Sequence, residues 1–187
     1  MDKLKNFFSS PKKTAILGLI SSIVISLFLI NSLFYNGIGI IYTFLYDINT
    51  WGFIVYFAIV VMRLYKQKGN IKIANYILIL FSIIHLIYSC RFMLYDEVSA
   101  DYLINQIVNI LLSFVNIIYL VNIFFKKSKI KYITNKLFSI ANILFAIYFT
   151  FLPEFNLVTL IYYIVYLLRI PYFYNYYDLL KGEKNGE

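Results

Sequence analysis

Residues 53–84 read FIVYFAIVVMRLYKQKGNIKIANYILILFSII, and the pattern of this stretch recurs along the whole chain. Two apolar segments flank a short connection that carries Arg63, Lys66, Lys68 and Lys72. A helix of about 20 apolar residues is long enough to cross a bilayer. Lysine and arginine are concentrated on the cytoplasmic connections between such helices. The stretch therefore predicts two membrane helices joined by a cytoplasmic loop.

Basic residues alternate in the same way with six apolar stretches along all 187 residues. All but one of the 17 lysines and arginines lie before the first stretch, between the second and third, between the fourth and fifth, or from the end of the sixth onward. Arg91 alone lies on the opposite side, where most of the acidic residues gather. The positive-inside rule therefore predicts an all-α, multi-pass protein of the cytoplasmic membrane. We expect a bundle of six transmembrane helices in three antiparallel hairpins, with both termini in the cytoplasm.

The six spans divide the chain into three parts. A basic, interfacial N-terminus occupies residues 1–13, the transmembrane domain 14–170, and a tail that is first aromatic and then polar 171–187. By the lengths of the apolar runs, we expect spans at about 14–35, 40–62, 71–90, 102–125, 136–152 and 156–170.

The second span is the least well defined. Its apolar run Phe53–Met62 is only about 15 Å long as a helix, half the thickness of the hydrocarbon layer. It therefore needs the segment from Ile40 onward, which brings Asp47 into the outer part of the span. A re-entrant segment at 38–50 is the alternative, and it leaves the lysine loops on the same side.

Composition excludes a soluble domain and makes the lipid bilayer the expected partner. Apolar residues make up 61% of the chain and charged residues 14%, which is more apolar side chain than one domain of this size can bury. The net charge of +8 does not indicate nucleic acid, because the lysines stand in short clusters beside apolar runs and suit anionic lipid head groups. Cys90 is the only cysteine, which excludes an internal disulfide and a cysteine metal cluster. No cofactor is expected.

Polar residues within the spans fall on narrow stripes of a helical wheel. Amides and hydroxyls that face lipid lose their hydrogen bonds, so we expect these stripes to face one another inside the bundle. The best-defined stripes are Asn75, Ser82, His85 and Ser89 in the third span and Asn105, Asn109, Ser113 and Asn116 in the fourth. The fifth span carries Asn135, Ser139, Asn142 and Thr150.

Two interpretations of the stripes stay open. Either the polar side chains only hold helices together, or they line a cavity that binds a small solute. His85 is the only histidine and Asp47 the only acidic residue expected within a span, and ionisable groups at membrane depth are functional candidates. On the second interpretation the substrate-binding residues are His85, Asn75, Asn109, Asn116, Asn142 and Asp47.

Nothing in the sequence indicates an enzyme. There is no HExxH, GxSxG or Gly-rich phosphate loop, and His85 and Cys90 point about 140° apart on one helix. The sequence favours a carrier or the membrane subunit of an importer for a small solute. The alternative is a non-enzymatic membrane partner, such as an immunity or assembly protein or a homo-oligomer, whose polar residues only pack helices.

Two features at the end of the sixth span are interpreted as contacts with the membrane interface. Arg169 is expected to extend its guanidinium to the cytoplasmic surface. The aromatic run Tyr172, Phe173 and Tyr174 is expected to anchor the chain among the lipid head groups.

Overall fold

The computed structural model describes residues 6–36, 48–66, 69–91, 100–122, 128–150 and 157–175, which are helical almost throughout and contain no strand. After a turn at 168–169 the chain is helical again over 170–175. The six main helices are α1 (Pro11–Asn36), α2 (Ile48–Lys66), α3 (Ile71–Arg91), α4 (Ala100–Asn122), α5 (Ser128–Thr150) and α6 (Leu157–Leu167).

The all-helical fold is confirmed, and four helices are long and apolar enough to cross a membrane. These spans lie in α1 to α4, whereas the apolar part of α5, Ile133–Tyr148, is shorter. α5 begins eight residues before the expected span, because the apolar pattern marks the part of a helix in contact with lipid and not the end of the helix. α2 begins at Ile48, and Asp47 lies outside the described residues.

The turn between α2 and α3 is built by two residues. Gly69 has a φ of +103°, a left-handed conformation that favours glycine. Asn70 then caps α3, since its Oδ1 accepts hydrogen bonds from the backbone N–H of Lys72 at 2.9 Å and of Ile73 at 3.4 Å. The Gly-Asn pair thus leads into α3 and caps its first turn.

The helices form a closed ring. Each helix packs against its neighbours in the chain, and α6 packs against α1. The contact between α1 and α2 is close at Gly18, which lies directly against the ring of Phe57. α1 is joined to α6 by a hydrogen bond from the Ser21 hydroxyl to the carbonyl of Val165. The ring leaves a central space whose contents differ along its length.

Polar and apolar side chains are segregated across the ring. Large apolar residues point outward, which suits contact with lipid, and the inward orientation predicted for the polar stripes is confirmed for those of their residues that are buried. The buried polar side chains include Ser21, Ser22, Asn75, Ser82, Ser89, Ser113, Asn116, Asn135, Ser139 and Asn142.

An aromatic cluster fills the centre of the ring at the end where the chain begins and ends. It consists of Phe53, Tyr56, Phe57, Tyr119, Phe138, Tyr172 and Phe173. Phe173 is its central member: ring centroids lie 5.1 Å away for Phe138, 5.6 Å for Tyr56 and 5.8 Å for Tyr119. Helices α2, α4 and α5 therefore all contact the segment 170–175.

The expectation that the aromatic run anchors the chain in the interface is wrong for Tyr172 and Phe173, which are fully buried. Pro171 has no N–H to donate to the carbonyl four residues earlier, so the helix is interrupted after Leu167. The interruption directs 170–175 across the ring. There, Tyr119 donates a hydrogen bond to the carbonyl of Phe173 at 2.9 Å, and Asn135 donates one to the carbonyl of Tyr174 at 2.7 Å.

Candidate functional site

A cavity of about 130 Å³ lies inside the ring, beyond the aromatic cluster. Five helices contribute to its wall, and most of the wall residues carry a hydroxyl, an amide or an imidazole. They are Asn49 and Thr50 from α2, His85 from α3, Asn109, Leu112, Ser113 and Asn116 from α4, Phe145 from α5, and Tyr162, Tyr163 and Tyr166 from α6.

A layer of hydrogen-bonded amides and a phenol separates the cavity from the aromatic cluster. The Asn142 amide donates to Oδ1 of Asn116 at 3.1 Å and to the carbonyl of Phe138 at 2.8 Å. Oδ1 of Asn142 accepts a hydrogen bond from the Tyr166 hydroxyl. Since Asn116, Asn142 and Tyr166 lie on α4, α5 and α6, this layer joins three helices by side chains alone.

His85 is held in the cavity wall by α4. Its Nδ1 lies 3.1 Å from the Ser113 hydroxyl, a hydrogen bond in which either group can be the donor, depending on the histidine tautomer. One turn earlier on α3, the Ser82 hydroxyl donates to Oδ1 of Asn49 at 3.2 Å. The first turn of α2 and the His85 side chain are thereby fixed on the same side of the cavity.

Asn109 differs from the other asparagines of the wall. It lines the cavity, but no protein group in the described part of the chain hydrogen-bonds with its amide. Its neighbours on the same stripe are paired: Asn105 accepts from the Tyr148 hydroxyl at 2.9 Å, and Asn116 accepts from Asn142. Asn109 is only partly buried, and its amide can hydrogen-bond to water or a solute in the cavity.

The structure brings together four of the six residues predicted to bind a substrate. His85, Asn109 and Asn116 lie in the cavity wall, and Asn142 lies directly behind it through its bonds to Asn116 and Tyr166. Asn75 is buried elsewhere, ten residues or about 15 Å from His85 along α3.

Two groups were missed by reasoning from the sequence. Tyr162 and Phe145 carry no signal that separates them from the many aromatic residues facing lipid. Asn49 and Thr50 fell within the expected second span, and Thr50 on its polar face, but neither was named as a site residue; both line the cavity from the first turn of α2.

Arg169 does not extend to the surface as expected, and is only 4% exposed. Its guanidinium lies 4.6 Å from the ring centroids of both Phe53 and Tyr166. The same interruption that turns 170–175 inward also places Arg169 inside the ring. Tyr166 lines the cavity, so one aromatic ring separates the buried positive charge from that space.

No group of histidine, cysteine or carboxylate side chains in the described residues is arranged to hold a metal ion. The function is therefore inferred from the polar wall, the unpaired amide and the nearby cation. Comparison of the chain with protein-family models, with curated proteins and with solved structures gives no match.

Proposed function

We propose that the protein is a non-enzymatic, multi-pass membrane protein that binds or passes a small solute through the polar cavity, as a carrier or as the membrane subunit of an importer. The Asn109 amide carries this proposal. Asn105 and Asn116 of the α4 stripe each accept a hydrogen bond from a protein side chain, whereas Asn109 lines the cavity and has no hydrogen bond to a described residue. Such a group gains most from a ligand that can hydrogen-bond with it.

The membrane arrangement that goes with this function has six crossings and both termini in the cytoplasm. Fifteen of the 17 basic residues then lie on the cytoplasmic side, and Arg169 lies buried beside the aromatic cluster at the same end of the ring. α6 itself extends over 11 residues, about 16 Å, so the sixth crossing is proposed from the positions of the basic residues. In this orientation the aromatic cluster closes the cytoplasmic end of the ring, and the cavity lies toward the outer side.

Accessibility of a cysteine at position 109 tests the proposal. In nanodiscs, with Cys90 replaced by serine, Asn109→Cys should react with a water-soluble thiol reagent at least tenfold faster than Leu111→Cys. Leu111 is a matched control because it lies on the same helix with 60% of its side chain exposed toward lipid, where a thiol stays protonated. Equal rates at the two positions contradict a water-filled site.

A second candidate function is that of a partner protein whose polar residues only pack helices. The number of polar side chains that are hydrogen-bonded to one another favours it. His85 is bonded to Ser113, and Asn116 and Asn142 are bonded to each other. The cavity is also smaller than the several hundred cubic ångströms typical of ligand pockets. His85→Ala separates the two: loss of solute binding at normal expression supports the carrier, and loss of thermal stability with unchanged binding supports the packing role.

A further inference from the structure

The cavity wall is rich in groups that donate hydrogen bonds and contains no acidic residue among those that line it. Asparagine amides, tyrosine, serine and threonine hydroxyls and an imidazole all offer N–H or O–H donors. A cation would find no counter-charge on this wall. A neutral or anionic solute is therefore the better match.

A buried positive charge lies beside the cavity. The Arg169 guanidinium stacks between Phe53 and Tyr166, and its Nε is buried without a hydrogen bond to any described residue. No carboxylate of the described part of the chain pairs with it. A guanidinium is always charged in proteins, and the attraction it exerts on an anion is strong where water is excluded.

The first turn of α2 adds to the same potential. Asn49 and Thr50, its second and third residues, line the cavity. The first N–H groups of a helix have no partner within the helix and carry partial positive charge. Helix starts inside a membrane bundle are used in this way to hold anionic groups.

We propose that the cavity takes a small carboxylate, held by hydrogen bonds from Asn109 and the first turn of α2 and attracted by the charge of Arg169. This assignment rests on the proposed solute site and names its substrate class. An apolar cavity of about 150 Å³ holds one benzene molecule of six carbon atoms. The cavity of about 130 Å³ therefore suits a carboxylate with about five non-hydrogen atoms, such as propionate.

Three probes of nearly equal shape and different charge test the assignment: propionate, propionamide and n-propylammonium. Each is titrated against the purified full chain, and the rise in thermal unfolding temperature gives its affinity. The buffer ion must be a sulfonate too large for the cavity. Propionate should bind at least tenfold more tightly than propionamide, and n-propylammonium should not bind.

Variants of Arg169 test whether its positive charge causes the preference for propionate over propionamide. Arg169→Gln should lower propionate affinity at least tenfold and leave propionamide affinity unchanged, whereas Arg169→Lys should keep the preference. If Arg169→Gln does not fold, the order of the three probes on the unaltered chain still decides. Asp47 adjoins the first residue of α2 in the chain, so a preference for propionate that arises only in Asp47→Asn overturns the proposal.

The other possible results distinguish failure of the carboxylate assignment from failure of the proposed solute site. Tighter binding of propionamide or n-propylammonium, lost in Asn109→Leu, overturns the anion and keeps the solute site. No binding of any probe, together with rapid labelling of Asn109→Cys, overturns the short carboxylate alone. No labelling of Asn109→Cys removes both.

Discussion

Two asparagines that face the inside of this bundle differ in their hydrogen bonding. Asn142 donates to Asn116 and to the Phe138 carbonyl and accepts from Tyr166, so its amide is satisfied entirely by protein. Asn109, on the same α4 stripe as Asn116, has no hydrogen bond to a described residue. The first residue joins helices, and the second is the one we propose for ligand binding. Asparagine in a membrane helix therefore indicates an inward face, but not which of the two roles applies.

Asn142→Leu should destabilise the protein by about 1–3 kcal/mol, because it removes hydrogen bonds to α4 and α6 and leaves the buried polar groups of Asn116 and Tyr166 without them. Reversible unfolding in mixed micelles measures the loss. Leu144→Ala, two residues away on the face that is 60% exposed, is the control and should change stability by less than about 0.5 kcal/mol. A loss no larger than the control's refutes the role of this layer.

The sequence predicted which residues face inward but not all of those that form the cavity. Asn109, Ser113 and Asn116 were predictable because seven residues make nearly two helical turns and keep them on one face. Arg169 was not, because its position near a span end suits snorkelling equally well. Only the inward path of 170–175, set by contacts far away in sequence, places its charge beside the cavity.

Among the helical segments, 170–175 is the one whose position was least predictable from the sequence. The sixth span was expected to end at about 170, and the regular helix ends close by, at Leu167. The sequence did not predict the direction that the chain takes afterwards, which depends on rings supplied by α2, α4 and α5. The segment closes this end of the ring, because the fully buried side chains of Tyr172 and Phe173 fill its centre.

Phe173→Ala should cost about 3 kcal/mol of stability, because the ring has no exposed surface and its removal leaves a cavity that six surrounding aromatic rings cannot fill. Thermal unfolding of the purified protein shows the loss. Tyr174→Ala is a control in the same segment: its side chain is 53% exposed, and the hydrogen bond from Asn135 to its backbone carbonyl is kept. Equal effects of the two changes would show that the segment does not seal the ring.

The contact of α1 with α2 depends on the absence of a side chain at position 18. A Cβ added there would overlap the Phe57 ring, which neighbouring aromatic side chains hold in place. Gly18→Ala should therefore destabilise the bundle by about 1–3 kcal/mol. Ile20→Ala, on the exposed face of the same helix, should have little effect. Adding Phe57→Leu to Gly18→Ala should recover part of the lost unfolding temperature, and no recovery would place the strain elsewhere.

The closed ring of six helices surrounds a polar space although the chain is short. Each helix packs on its chain neighbours, and α6 returns to α1. Short connections made contacts between consecutive helices predictable. Closure was not predictable, because the stripes specify that polar faces meet without specifying which helices lie opposite each other. The ring also has two different environments along its length, an end filled by aromatic rings and a polar end with the cavity.

Cysteine labelling tests the proposed orientation of this ring in the membrane. With the termini and the lysine-rich connections in the cytoplasm, a cysteine at Ser128, beside Lys127 and Lys129, is hidden from a membrane-impermeant thiol reagent added to intact cells. A cysteine at Ser99, in the acidic connection between α3 and α4, is labelled under the same conditions. Both are placed in the Cys90→Ser background, and permeabilised cells show that Ser128→Cys reacts when reached. Labelling of Ser128→Cys from outside would invert the arrangement, place the aromatic end outward and turn the cavity toward the cytoplasm.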